Sequence, residues 1–105
     1  MATFVTLCNF TEQGIRNFKD SPARYEAFKA MAEQLEIKVK SFHYTTGTYD
    51  CVVILEGTEE NVTAAMLKLG SLGNVRTQTL HTISVEEMKK IINKVQRLTK
   101  VPVPA

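Results

Sequence analysis

The chain has 105 residues, enough for one domain with one core and too few for two. Apolar residues make up 44% and charged residues 23%, which excludes a disordered chain away from the termini. The formal charge of +2 is too weak to argue for nucleic acid, and its surplus sits in the last stretch, since residues 86–105 carry five cations against two carboxylates.

TFVTLCN (Thr3–Asn9) reads as a strand, being rich in β-branched and apolar residues. Thr11 can cap a short helical turn holding Ile15 and Phe18. Ser21-Pro22 restarts a helix, as a cap residue followed by proline at the first helical position. Phe28, Met31, Ala32 and Leu35 then recur at the spacing of one helix face. KVKSFHYT (Lys38–Thr45) is a second strand and Gly47 supplies a turn. DCVVILE (Asp50–Glu56) is the third strand. Thr58 caps a helix with Glu59 and Glu60 at its positive end, and Val62, Ala65, Met66, Leu69 and Leu72 form its stripe. Gly73-Asn74 stops that helix before a fourth strand, Asn74–Ile83.

Ser84 and Glu87 make a capping box for a last helix, with Met88, Ile91, Ile92, Val95 and Leu98 on one face. Its basic character suits a solvated helix end, or a partner or anionic surface. Pro102 and Pro104 predict an extended tail. Residues 1–105 thus form a single domain with its core at about 3–92, and 93–105 hold the end of the last helix and the tail.

The βαββαβ order plus a terminal helix predicts a ferredoxin-like α+β sandwich, with strands one and three central. FVTLC and CVVIL are apolar at both parities, as strands covered on both faces are. Helices cover one sheet face, so the economical cover for the other is a second copy packed sheet to sheet, and a homodimer is expected. Cys8 and Cys51 lie inside apolar strands and read as reduced, structural thiols, which suits a cytoplasmic protein. MATFVTLCNF has no basic leader and no run approaches the ~18 apolar residues of a membrane span, so neither export nor a membrane span is expected.

NFTEQGIRNFKDSP (Asn9–Pro22), GTYD (Gly47–Asp50) and GNVRTQTL (Gly73–Leu80), in that order, resemble the GYD domain family. The resemblance runs from Thr3 to about Ile92. The signature glycine, tyrosine and aspartate map to Gly47, Tyr49 and Asp50, and the NFT and NVRT blocks to Asn9–Thr11 and Asn74–Thr77. His81 departs from the family pattern. The resemblance implies a dimeric α/β barrel, similar to antibiotic-biosynthesis monooxygenases. It implies no established reaction.

The candidate chemistry gathers at the Gly47 turn. A turn centred on Gly47 would pair Thr45 with Tyr49, Tyr44 with Asp50 and His43 with Cys51. His43, Tyr49 and Cys51 would then share one face and Tyr44 and Asp50 the other. Asp50 can accept turn N–H groups, pair with Arg76, bond across a dimer contact, or act as a general base. Tyr49 is either a ligand-facing phenol or a packed one. His43 can serve as acid or base, oriented by Tyr49 or Asp50. Arg76 can hold a ligand carboxylate or phosphate, or else Glu56 or Asp50.

His43 and His81 fall on opposite edges, so no metal site is expected within one chain, and no cofactor is called for. LGSLGN lacks the lysine-threonine element of a phosphate loop and ends a helix instead of opening one. The leading expectation is a soluble dimer binding an unknown small organic molecule between sheet and helices, through Tyr44, Tyr49, His43 and Arg76. By analogy with similar barrels, cofactor-free oxygenation or isomerisation by His43, Tyr49 and Asp50 is the enzymatic version. The rival is a dimeric interaction module whose basic final helix docks a partner.

Overall fold

The computed structural model describes residues 1–98. The elements are β1 (Ala2–Phe10), α1 (Glu12–Arg16), a 3-10 turn at Phe18–Asp20, α2 (Ser21–Gln34), β2 (Lys38–Tyr44), β3 (Cys51–Gly57), α3 (Glu59–Ser71), β4 (Val75–His81) and α4 (Val85–Leu98). The sheet order is β2-β3-β1-β4, with every neighbouring pair antiparallel. This is a ferredoxin-like α+β fold with the two most apolar strands in the centre. The proline-containing tail predicted from the sequence lies outside the described residues.

Strand parity decides what each face does. Phe4, Thr6, Cys8, Cys51, Val53 and Leu55 are buried and point at the helices. They meet Phe28 and Ala32 of α2, Val62 and Ala65 of α3, and Ile37. Thr6 is a fully buried polar residue, and its hydroxyl shares a 2.9 Å hydrogen bond with that of Thr79. Thr3, Val5, Leu7, Val52 and Ile54 alternate with this set and lie half-buried on the other, helix-free face.

The helix ends follow their sequence signals, with one exception. The Thr11 and Thr58 hydroxyls accept from Gly14 N and Asn61 N, both at 3.1 Å. Both halves of the Ser84–Glu87 capping box are made. Ser21, expected as a cap, makes no capping bond; α2 starts after Asp20, and the Ser21 hydroxyl bonds Tyr44 Oη at 2.9 Å. At the other end of α2, Ile37 N donates to Ala32 O and Glu36 N to Glu33 O, which turns the chain into β2. That geometry places Glu36 at φ 57°, the left-handed region glycine prefers.

The hairpin register differs from the one expected. Tyr44 pairs with Cys51 and His43 with Val52, one residue further along β3. The cause lies in the loop, where the Thr45 hydroxyl donates to Tyr49 O at 2.6 Å and Thr45 N to Asp50 O at 2.9 Å. Thr45 therefore closes opposite Asp50, and Gly47, at φ 113°, is a loop residue and not the turn centre. His43 and Cys51 accordingly point to opposite faces.

Helix α4 stands apart. None of its residues is buried, and the molecule measures 58 × 29 × 21 Å.

Candidate functional site

The three sequence blocks singled out above meet at one end of the sheet. Thr11 N donates to Asn74 O at 3.0 Å and the Thr11 hydroxyl to Gly73 O at 2.6 Å. Gln13 Nε2 donates to Asn74 Oδ1 at 2.9 Å. Gly14 is buried against the same backbone: a Cβ there would collide with the Asn74 carbonyl. Gly73, at φ 83°, makes the bend that presents these carbonyls. Arg24 of α2 fastens the junction, donating to Asn17 O at 2.9 Å and Gly14 O at 3.2 Å.

Asp50 completes this junction. Its carboxylate accepts from Phe10 N at 2.8 Å, while its own N–H donates to Cys8 O at 2.8 Å. The side chain thus extends the β1–β3 ladder one step beyond the last paired residues. Among the described residues neither Asp50 nor Arg76 pairs with the other. The Arg76 guanidinium is exposed and makes no hydrogen bond or ion pair among them, and Glu56 is held instead by Lys40 at 3.6 Å.

The remaining candidates part company. Tyr44 lies on the helix side, with its ring edge-on to Phe42 at 5.1 Å and its hydroxyl on Ser21. Tyr49 Oη donates to Gln78 Oε1 at 3.0 Å. Gln78 sits opposite Leu7, Leu7 opposite Val52, and Val52 opposite His43, so these residues form one row across the helix-free face. His43 and Gln78 are three strand spacings apart, about 14 Å. Tyr49, bonded to Gln78, does not orient His43. Gln78 and Ser21 are partners that sequence reasoning missed; strand parity could have placed Gln78 on the same face as Leu7, but not its bond to Tyr49.

The space between sheet and helices is uneven: about 310 Å³ is open between β4 and α3, beside Phe4, Val62, Thr79 and His81, but little is open on the α2 side. About 60 Å³ is open beside Cys8, Tyr25, Phe42 and Cys51, well below the ~300 Å³ at which ligand pockets begin. A larger cleft of about 620 Å³ lies between α2 and α3, floored by Phe28, Met31, Leu69 and Leu72 with Arg24 and Lys68 beside them.

Cys8 and Cys51 are free, buried and directly paired across β1 and β3. The Cys8 thiol is held far above its ordinary value by its hydrogen bond with Cys51, by burial, and by the charges of Cys51 and Asp50. Cys51 is lowered by the same bond, against the effects of burial and Asp50. The pair therefore gives up a second proton with great difficulty. Among the described residues no three His, Cys, Asp or Glu side chains gather as a metal site, and no helix is long and apolar enough to cross a membrane.

The GYD domain family matches residues 4–92. A Thermus thermophilus protein named glutamine synthetase and cystathionine beta-lyase binding protein is 31% identical over 90 residues, covering 84% of this chain and 95% of the relative.

Proposed function

The chain belongs to the GYD domain family, and on that footing we propose that it is a protein-binding module working as a two-fold pair of copies. The observation that carries this reading is the amount of apolar surface left without a partner. Val5, Leu7, Val52 and Ile54 form an apolar patch on the helix-free face, Leu80 extends it to the β4 edge, and α4 adds a second apolar face. Packing two copies sheet to sheet buries the first of these. The relative's name supplies the kind of client: an enzyme such as glutamine synthetase or cystathionine beta-lyase.

The test is to immobilise the purified chain and titrate it with each of these enzymes from the same organism. Saturable binding that disappears when the chain is heat-unfolded supports the reading. No binding to either enzyme at tens of micromolar removes the named clients.

A second reading rests on the polar tips at the edge of the helix-free face. Tyr49, Gln78 and Arg76, whose guanidinium has no partner among the described residues, would hold an organic anion between two paired sheets, with His43 at the far end of the row. A cofactor-free enzymatic role for Tyr49 and His43 would need that space, since both belong to the helix-free face and not to the gaps between sheet and helices. A thermal-shift screen of carboxylate and phosphate compounds tests it: a hit must vanish in Arg76→Ala, and a screen without hits discards it.

A further inference from the structure

We propose that α4 is an arm that clasps a second copy of this chain. The inference rests on the pairing of copies put forward above and names the element that holds the pair.

Val85, Met88, Ile91, Ile92, Val95 and Leu98 are each between 40% and 72% exposed. At 100° per residue they span a stripe of about 140°. That is wider than the seam of a two-stranded coiled coil and suits a helix bedded against more than one neighbouring element. An isolated helix of this length is marginal in water, so its order requires cover.

Among the described residues, nothing buries this stripe. Thr82 N and Thr82 Oγ1 both donate to Thr3 O, at 3.0 and 2.8 Å, which holds the chain against β1 up to the elbow. The Ser84–Glu87 capping box then sets the direction in which the helix leaves. Fixed in this way, the stripe is offered to another molecule.

Three observations select a second copy. The first is continuity. Leu80, on the helix-free sheet face, and Ile83, at the elbow, are both exposed and lead from that face to Val85. Sheet face and arm therefore read as one apolar surface. The second is area. Four strands of about seven residues present roughly 440 Å² in projection, and the helix stripe adds roughly 200 Å². The arm thus enlarges the projected contact of the sheet by nearly half, toward the size of a stable interface. The third is charge. The arm carries four cations, Lys89, Lys90, Lys94 and Arg97, against Glu86 and Glu87, whereas residues 1–84 carry eight cations against nine carboxylates. An arm of net positive sign meets a body of slightly negative sign. A client enzyme present only part of the time would leave six apolar side chains in water, while a second copy is present whenever the first is.

The test uses light scattering and far-ultraviolet circular dichroism on the full chain, with wild type beside Ile92→Glu/Val95→Glu. Neither residue is in the core, so the variant keeps a cooperative melt. The wild type should have twice the mass of the chain. The variant should pair at least ~100-fold more weakly and, once monomeric, lose helical signal equivalent to one helix. A variant that remains a dimer overturns the arm and leaves sheet pairing standing. A monomeric wild type overturns both. A variant that stays dimeric but no longer binds the enzymes would make α4 the client surface. Enzyme binding is measured on the same samples, so failure of the arm and failure of the binding module are read separately.

Discussion

Asp50→Ala separates a structural carboxylate from a catalytic one. The substitution leaves both backbone bonds of residue 50 in place, to Cys8 O and from Thr45 N, and removes only the acceptor of Phe10 N. A hydrogen bond to a charged group contributes about 1.5–3 kcal/mol, and water can reach half-buried Phe10, so the lower part of that range, about 2 kcal/mol, applies. For a domain of this size that lowers the melting temperature by about 8–16 °C. Asp50→Asn keeps an oxygen acceptor and loses only the charge, so about half the effect is expected. Thermal and urea melts of the three proteins measure it. An Asp50→Ala protein melting within two degrees of wild type would refute the reasoning, as would an Asn variant as unstable as the Ala one.

The junction on which Asp50 sits makes further predictions. Gly14→Ala drives a methyl into the Asn74 carbonyl, so it should destabilise by at least about 2 kcal/mol and appear as a large drop in urea midpoint. Glu36→Gly relieves a left-handed backbone and should raise the melting temperature by a few degrees, on the order of 0.5–1 kcal/mol; a fall would mean that the Glu36 side chain contributes something its geometry does not reveal. Cys8 stays protonated in the folded chain but ionises once unfolded, so its contribution is present below its ordinary value of 9.0 and is lost as pH rises beyond it. Cys8→Ala alone would leave Cys51 raised by burial and Asp50, so the comparison is with the double variant Cys8→Ala/Cys51→Ala: stability should fall more steeply above pH 9 in wild type than in that variant, and parallel profiles would contradict the assignment.

Much of the fold was legible because its signals are local. Thr11, Thr58 and the Ser84–Glu87 box cap helices by reaching residues three positions away, and that chemistry is written in adjacent letters. Ser21 was misread for the same reason in reverse. A suitable cap residue found a stronger partner in Tyr44, which is distant in sequence and invisible to local reasoning. The hairpin failed at one residue because the Thr45–Tyr49 bond, and not Gly47, closes the loop.

By itself, the sequence determined the order of elements, the central place of β1 and β3, and the presence of apolar residues on both sheet faces. Periodicity and run length are properties of neighbouring residues, and they suffice for this. Tertiary structure alone decided the rest. It set which parity meets the helices, and it showed that Asp50 extends the β1–β3 ladder through Phe10 N. It also sent Tyr49 to Gln78 while His43 stands at the opposite edge, and it left the apolar stripe of α4 exposed among the described residues. These outcomes depend on pairs tens of residues apart. Such pairs exist only once the strands have chosen a register, and a shift of one residue in that register moves every side chain to the other face.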